Sequence, residues 1–159
     1  PDDSGQPHQV HPARNPGRIS MSLFNIMAVS ASALEAQSVR LNTISSNLAN
    51  SQVVSSTPEG AYQARYPVFQ TMLQDSFGGS DGEAAGVRVA EIYQSQLPPR
   101  QEFSPSHPLA NEEGYIYRSN INPVDEMANM ISASRSYQSS IEAMNTAKQL
   151  IQRTITLGR

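Results

Sequence analysis

The sequence predicts an α+β fold in which long N- and C-terminal helices pair as a coiled-coil-like domain, with a small β-rich insert between them. Two observations support this prediction: apolar residues recur every seven positions near both ends of the chain, and prolines and glycines interrupt the middle. The length of 159 residues suits one compact domain or two thin ones. We therefore expect a discontinuous helical assembly domain at 21–52 and 120–159, a leader at 1–20, and the insert, with flexible loops, at 53–119.

The first 20 residues are expected to form a disordered leader. Prolines at positions 1, 7, 12 and 16 disfavour a helix, and the segment is almost without apolar residues. His8 and His11 have the spacing of a metal pair, but a flexible leader is the simpler interpretation. Met21 is the expected natural start, so the leader would be an upstream extension.

The uncharged run from Ile19 to Leu34 raises the alternative of a secretory signal peptide. Arg14 and Arg18 precede this run, and Ala31-Ser-Ala33 within it resembles a cleavage site. Polar residues, mostly serines, interrupt the run, however, and the apolar spacing continues beyond the cleavage point. The run is also too short and too polar for a transmembrane helix, so we expect an ordinary helix here.

The first helix is predicted by four apolar residues that lie seven positions apart: Met27, Leu34, Leu41 and Leu48. This spacing produces a narrow apolar seam along one side of a helix, which suits pairing with another helix. Asn47 and Asn50 lie near the end of the helix. We expect both side chains either to be buried in an assembly, where their hydrogen bonds would fix the register, or to cap the helix.

The insert has no stretch long enough for an extended helix, because prolines and glycines recur from Pro58 to Gly114. Between them, three short runs alternate in polarity or carry β-branched and aromatic residues. These runs are predicted to be strands: Tyr66–Met72, Val87–Tyr93 and Tyr115–Tyr117. The glycine-rich stretch 77–83 is expected to be a flexible hairpin tip, because a calcium loop would need more carboxylates and a phosphate loop would need a flanking strand and helix.

The second helix has a strong start signal. Asn122 suits the N-cap and Pro123 suits the first helical position. Asp125 and Glu126 follow where the helix dipole favours negative charge. Large apolar residues then recur every seven positions, at Met130, Tyr137, Met144 and Ile151. A second row with the same spacing consists of small residues only: Ala133, Ser140, Ala147 and Thr154. The small row would let another helix approach closely, and the seams of the two helices are expected to meet in an antiparallel pair.

Composition and motifs give little sign of catalysis or of nucleic-acid binding. The chain has no cysteine, and His107, the one histidine outside the leader, lies in a loop beside a proline. No nucleotide-binding or metalloprotease motif is present. A net charge of -3, with Lys148 as the only lysine, argues against a nucleic-acid partner. We therefore expect no enzymatic activity, no cofactor and no metal site.

Two segments resemble a known protein family. The stretch from Ser32 to Ser51, above all Asn47-Leu-Ala-Asn50, is similar to the N-terminal motif of bacterial flagellar rod and hook proteins. The stretch from Asn122 to Gly158, including Ala133-Ser-Arg-Ser-Tyr137, resembles the C-terminal segment of the proximal rod members of that family. The similarity extends over residues 21–159, so only the leader departs from it.

The resemblance implies a structural subunit of the proximal rod, which is part of the drive shaft of the flagellar basal body. Such subunits leave the cell unfolded through the flagellar type III export apparatus, without a cleaved signal peptide, and assemble within the periplasm. Their terminal helices form the inner tube and contact further copies. Other expected neighbours are the rod proteins FlgB, FlgF and FlgG, with FliE at the base, and no direct membrane insertion is implied.

The residues expected at assembly interfaces are the two seams and the two asparagines: Met27, Leu34, Leu41, Asn47, Leu48, Asn50, Met130, Tyr137, Met144 and Ile151. Two alternatives to a proximal rod subunit are another flagellar axial subunit, either FlgB-like or from the distal rod, and a secreted helical adaptor or binding module. Solution behaviour would separate an adaptor from a rod subunit. An isolated rod subunit should be poorly helical until it assembles, because its seams lack partners, whereas an adaptor should fold alone.

Overall fold

The computed structural model of the chain describes residues 16–73 and 84–157. Along the chain, a strand-rich segment lies between two long helices. The elements in chain order are α1 (Pro16–Asn50), β1 (Val54–Ser55), β2 (Arg65–Leu73), β3 (Ala84–Gln94), β4 (Arg100–Phe103), β5 (Tyr115–Arg118) and α2 (Pro123–Leu157). The predicted α+β fold is therefore confirmed. None of the described helices is long and apolar enough to span a membrane.

The two helices lie side by side and run in opposite directions, so that the end of α1 meets the start of α2. Asn47 and Glu126 are joined there by a hydrogen bond. Small side chains of α2 occupy the contact with α1: Ala133 is fully buried and Ala147 is almost so. Because these side chains are single methyl groups, the two backbones can approach closely. The predicted antiparallel helix pair is confirmed.

The start of α1 differs from the prediction. The helix begins at Pro16, so residues 16–20, which the sequence assigned to the leader, are helical. Proline is tolerated at the first helical position, since its ring already has the required φ angle and the missing N–H would have had no partner within the helix. The rest of the predicted leader, residues 1–15, lies outside the described residues.

The insert contains two separate sheets. Strands β2 and β3 pair as an antiparallel hairpin, from Arg65 opposite Gln94 to Leu73 opposite Ala84. Strands β1, β5 and β4 form a three-stranded sheet in that order. The three predicted strands are confirmed as β2, β3 and β5. Strand β1 was missed because it is only 2 residues long, and β4 because its sequence, Arg-Gln-Glu-Phe, is mostly polar and exposed throughout, unlike the aromatic and β-branched run of β5. The predicted hairpin tip at 77–83 lies outside the described residues.

The hairpin is fastened along α1 by a close contact at Gly86. The Ser32 hydroxyl accepts a hydrogen bond from the N–H of Val87 at 3.1 Å and donates one to the carbonyl oxygen of Val29 at 2.8 Å. Gly86 has a φ of +151°, and a Cβ atom at this position would collide with Ser32 Oγ. A glycine is therefore required where β3 crosses the helix.

We expect Gly86→Ala to loosen the hairpin from α1. The methyl group must displace the Ser32 side chain, and alanine is strained at this φ, so the local cost should be about 1–3 kcal/mol. Hydrogen–deuterium exchange of the β2 and β3 amides should accelerate by roughly tenfold or more. Ala90→Ser, an exposed change in the same strand, is the matched control. Unchanged exchange in the Gly86 variant would mean that the contact with Ser32 does not hold the hairpin.

Candidate assembly site

Asn47 is buried where α1, β2 and α2 meet, and it is 0% exposed. Its Nδ2 group donates to the carbonyl oxygen of Arg65 at 2.9 Å and to Oε2 of Glu126 at 3.2 Å. Its Oδ1 atom accepts from the N–H of Arg65 at 2.9 Å and from the hydroxyl of Tyr62 at 3.1 Å. A side-chain amide has two donor and two acceptor positions, and all four are used here. Asn47 therefore joins both helices and the hairpin.

Glu126 is the second buried polar residue of this junction and is only 3% exposed. It lies in the first turn of α2, where the helix dipole favours a carboxylate. The predicted cap of this helix is confirmed, since Oδ1 of Asn122 accepts from the N–H of Val124 at 3.1 Å. Nδ2 of Asn122 also donates to Oδ2 of Asp125 at 2.9 Å. From the sequence, only a favourable interaction of Glu126 with the helix dipole was predicted. Its burial against Asn47 was not predicted.

A groove of about 390 Å³ opens beside this junction, between α1, β2 and the start of α2. Its polar side chains include Arg40, Arg65 and Glu126, and its apolar ones include Ile44 and Phe69. Tyr66 also lines the groove. Burial, followed by the charges of Glu126 and Asp125, raises the pKa of the Tyr66 hydroxyl, so this phenol stays neutral at physiological pH.

The residues of the two predicted seams are all half-buried and lie beside the most buried positions rather than at them: Met27, Leu34, Leu41, Leu48, Met130, Tyr137, Met144 and Ile151. The deepest apolar positions of α2 are Ala133 and Ala147, from the small row. That these seam residues contact neighbouring copies of the chain stays a prediction. Their partial exposure leaves each with surface that a neighbouring copy could still cover.

The two asparagines behave differently. Asn50, the last residue of α1, is half-buried, and its Nδ2 donates to the carbonyl oxygen of Ser46 at 2.8 Å, a local bond that fits the predicted helix-capping role. Asn47 has filled all its hydrogen-bonding positions within one chain. The hydrogen bonds of Asn47 therefore fix the arrangement of elements inside the subunit. The predicted location of Asn47 and Asn50 at interfaces between subunits stays a prediction.

The described ranges, 16–73 and 84–157, hold no group of three or more histidine, cysteine, aspartate or glutamate residues placed to bind a metal ion. Nδ1 of His107 accepts a hydrogen bond from the N–H of Leu109 at 3.1 Å, which stabilises a turn. The surface instead exposes large apolar side chains, such as Leu97 and Phe103 in the insert and Val124 and Leu157 on α2. Exposed apolar side chains of this size are enriched at surfaces that bind other proteins.

Two protein families match the segments that supply Asn47 and its partner Glu126. The family "Flagella basal body rod protein" matches residues 27–54, and "Flagellar basal body rod FlgEFG protein C-terminal" matches residues 112–157. The flagellar basal-body rod protein FlgC of Yersinia enterocolitica is 45% identical, over 87% of this chain and 100% of the relative. FlgC of Salmonella typhimurium is 43% identical and that of Bacillus subtilis 31%, with the same coverage. The chain therefore belongs to the FlgC family of flagellar basal-body rod proteins.

Proposed function

We propose that the chain is a structural subunit of the bacterial flagellar rod, in its proximal part, and that it assembles through its terminal helices into a tubular shaft. One observation carries the proposal. The two segments that match flagellar rod families contain α1 from residue 27 onward and all of α2, and Asn47 and Glu126 join these helices at a buried contact. The segments that the two family models match thus contain most of the helix pair.

The packing of the single chain supports an assembling protein. The buried apolar core consists mostly of alanines, and its larger members are Ile44, Ile116 and Ile121. Many larger apolar side chains remain exposed, including Val124, which is 71% exposed. Such a distribution gives a small internal core and a large surface that gains free energy when neighbouring subunits cover it.

The finer parts of the proposal rest on the family resemblance. They are a location in the rod within the periplasm, export through the flagellar type III apparatus without a cleaved signal peptide, and contacts with FlgB, FlgF, FlgG and FliE. The proposed role is structural and includes no enzymatic step. The groove between α1, β2 and α2 is then a surface between packed subunits rather than a substrate pocket.

Replacement of the resident protein tests the proposal directly. In a flagellated bacterium that lacks its own FlgC, expression of this chain should restore complete rods and swimming in soft agar. Antibody labelling or mass spectrometry should then find the chain in the proximal part of isolated basal bodies. Normal expression without any incorporation into basal bodies would contradict the proposed function, and labelling confined to the distal rod would favour another axial role.

A further inference from the structure

The outer edge of strand β2 is only partly covered by the rest of the chain. At its start, the N–H and the carbonyl oxygen of Arg65 both bond to the side chain of Asn47, so they point away from β3. In an antiparallel pair this outward direction recurs at every second residue. The register shift after Val68 places the extra residue in β3, so the alternation within β2 continues. The residues whose backbone groups face the outer edge are therefore Pro67, Phe69 and Thr71.

Beyond Asn47, this outer edge carries unpaired backbone groups. Pro67 has no N–H to offer, as is usual for a proline in an edge strand. The outward N–H and carbonyl groups of Phe69 and Thr71 have no backbone partner among residues 16–73 and 84–157. These two residues form a free edge, to which an extended segment can add as a further strand through main-chain hydrogen bonds.

A groove runs along this edge because α1 crosses the hairpin obliquely. The helix meets the outer edge of β2 at Asn47 and the outer edge of β3 at Ser32, which binds the N–H of Val87. The space left beside β2 is the groove of about 390 Å³, lined by α1, by β2 as far as Phe69 and by the start of α2. Its volume lies within the range of roughly 300–1,000 Å³ that is typical of binding pockets.

The charges of the groove favour an acidic occupant. Arg40 lines the groove from α1 and is half-buried. The ion pair found in the described ranges is that of Arg118 with Glu102, so Arg40 has no such partner there. The carboxylate of Glu126 also lines the groove, but it is only 3% exposed and accepts a hydrogen bond from Asn47. A segment in the groove would thus meet the guanidinium of Arg40 rather than an accessible carboxylate.

The helix that lines the groove also sets a spacing for the occupant. Arg40 and Ile44 are one turn apart on α1, about 6 Å along its axis. Side chains on the same face of a strand recur about every 6.6 Å. An acidic side chain at Arg40 and an apolar one at Ile44 are therefore two residues apart in an extended segment.

We propose that this groove binds an acidic, extended segment of another polypeptide, which adds to the free edge of β2 as a further strand. The segment bonds to the backbone of Phe69 and Thr71 and places a carboxylate at Arg40. The occupant is extended because the free edge offers main-chain groups, and it is acidic because Arg40 lacks an ion-pair partner in the described chain. The inference rests on the proposed function, in which a neighbouring subunit of the rod supplies the segment.

A library of random heptapeptides displayed on phage tests the groove with the full purified chain. Selection should enrich peptides in which an aspartate or glutamate stands two positions from a large apolar residue. Synthetic peptides of the enriched sequences should bind in fluorescence anisotropy, and replacement of their acidic residue by lysine should weaken binding by about tenfold or more. The acidic peptides should also raise the thermal midpoint of the chain, because a ligand that binds the folded state stabilises it.

Charge exchange tests the contact with Arg40. Arg40→Glu should weaken binding of the acidic peptides by about tenfold or more and should strengthen binding of the matched lysine peptides. Arg135→Glu, an exposed reversal on α2 outside the groove lining, is the matched control and should leave both affinities within about twofold. A variant that had lost its fold could not gain affinity for the lysine peptides, so the exchange separates a charge contact from damage to the fold.

Main-chain pairing is tested at Thr71. Thr71→Pro removes the outward N–H by a residue that the same edge already contains at Pro67, and it should weaken peptide binding by about fivefold. Thr71→Val keeps the N–H and the β-branched shape, so it should bind like the native chain. Bound peptide should slow hydrogen–deuterium exchange of the Phe69 amide by about fivefold or more. Exchange of the Val87 amide, which already bonds to Ser32, should change little.

The outcomes distinguish this inference from the proposed function. Acidic peptides that depend on Arg40 and protect the free edge support the inference, whether or not the chain restores swimming. Enrichment of only basic or purely apolar peptides, or of none, would overturn it. Equal binding of the acidic peptides by the Arg40→Glu variant, or unchanged exchange at Phe69, would overturn it as well. A chain that enters basal bodies but gives any of these results keeps its rod function, and its groove is covered by another kind of surface.

Discussion

Asn47→Leu should detach the hairpin from the helix pair and abolish rod assembly. Leucine branches at Cγ as asparagine does but offers no hydrogen bond, so the N–H and carbonyl of Arg65 and the carboxylate of Glu126 lose a buried partner. Each group left unsatisfied costs about 1–3 kcal/mol, and an uncompensated buried carboxylate costs more. We expect the free energy of unfolding to fall by about 3–5 kcal/mol, as measured by denaturant titration.

Asn42→Leu is the control for this prediction, because Asn42 is an exposed asparagine of the same helix. It should change the free energy of unfolding by no more than about 0.5 kcal/mol. Asn47→Asp provides a second variant of nearly the same shape. It replaces the Nδ2 donor with an oxygen that faces the carbonyl of Arg65 and the carboxylate of Glu126, and should be at least as damaging. Equal stability of the position 42 and position 47 variants would show that the junction does not hold the elements together.

Ala133→Leu should force the two helices apart. Ala133 is 0% exposed at the contact of α2 with α1, so a leucine has no room unless the backbones separate. Overpacking of this kind costs about 1–3 kcal/mol, and here it also disturbs the geometry of the helix pair. The thermal midpoint, followed by circular dichroism, should fall by several degrees, and rods should be absent from cells that express the variant.

Ala143→Leu is the matched control, because Ala143 is exposed on the same helix and leucine has nearly the same helix propensity as alanine. Its thermal midpoint should stay close to that of the native chain. The prediction would be wrong if Ala133→Leu unfolded at the native temperature, since that result would mean that the helices are not in close contact at this position.

Much of the fold could be predicted because its signals are local. The N-cap at Asn122 and the proline after it involve adjacent residues, and the structure confirms that α2 starts there. Seven-residue spacing of apolar residues predicted both helices. Runs of β-branched and aromatic residues predicted β2, β3 and β5. Each of these patterns can be recognised within the segment that forms the element, without knowledge of its partners in the fold. Strands β1 and β4 were not predictable, since β1 has only 2 residues and the mostly polar β4 has no aromatic or β-branched run of its own; both become strands by pairing with β5.

At the candidate site, too, contacts between residues close in the sequence could be predicted, and contacts between distant residues could not. The sequence motif around Asn47 and Asn50 singled out both residues, and the local bond of Asn50 to Ser46 matches the predicted cap. Nothing near Asn47 in the sequence indicated its partners, because Arg65 and Glu126 are 18 and 79 residues away. Glu126 could not be recognised as buried from the helix start alone, where exposed carboxylates are common.

The sequence by itself determined that two long helices flank a β-rich insert, how the second helix begins and which family the chain resembles. Only the tertiary structure decided which row of α2 lies deepest. Sequence periodicity places the apolar seam and the small row on neighbouring sides of the helix, and close approach of α1 selects Ala133 and Ala147 for full burial. Tertiary structure also decided that Asn47 acts within the subunit, because the four groups that saturate its amide converge only when α1, α2 and the hairpin have packed together.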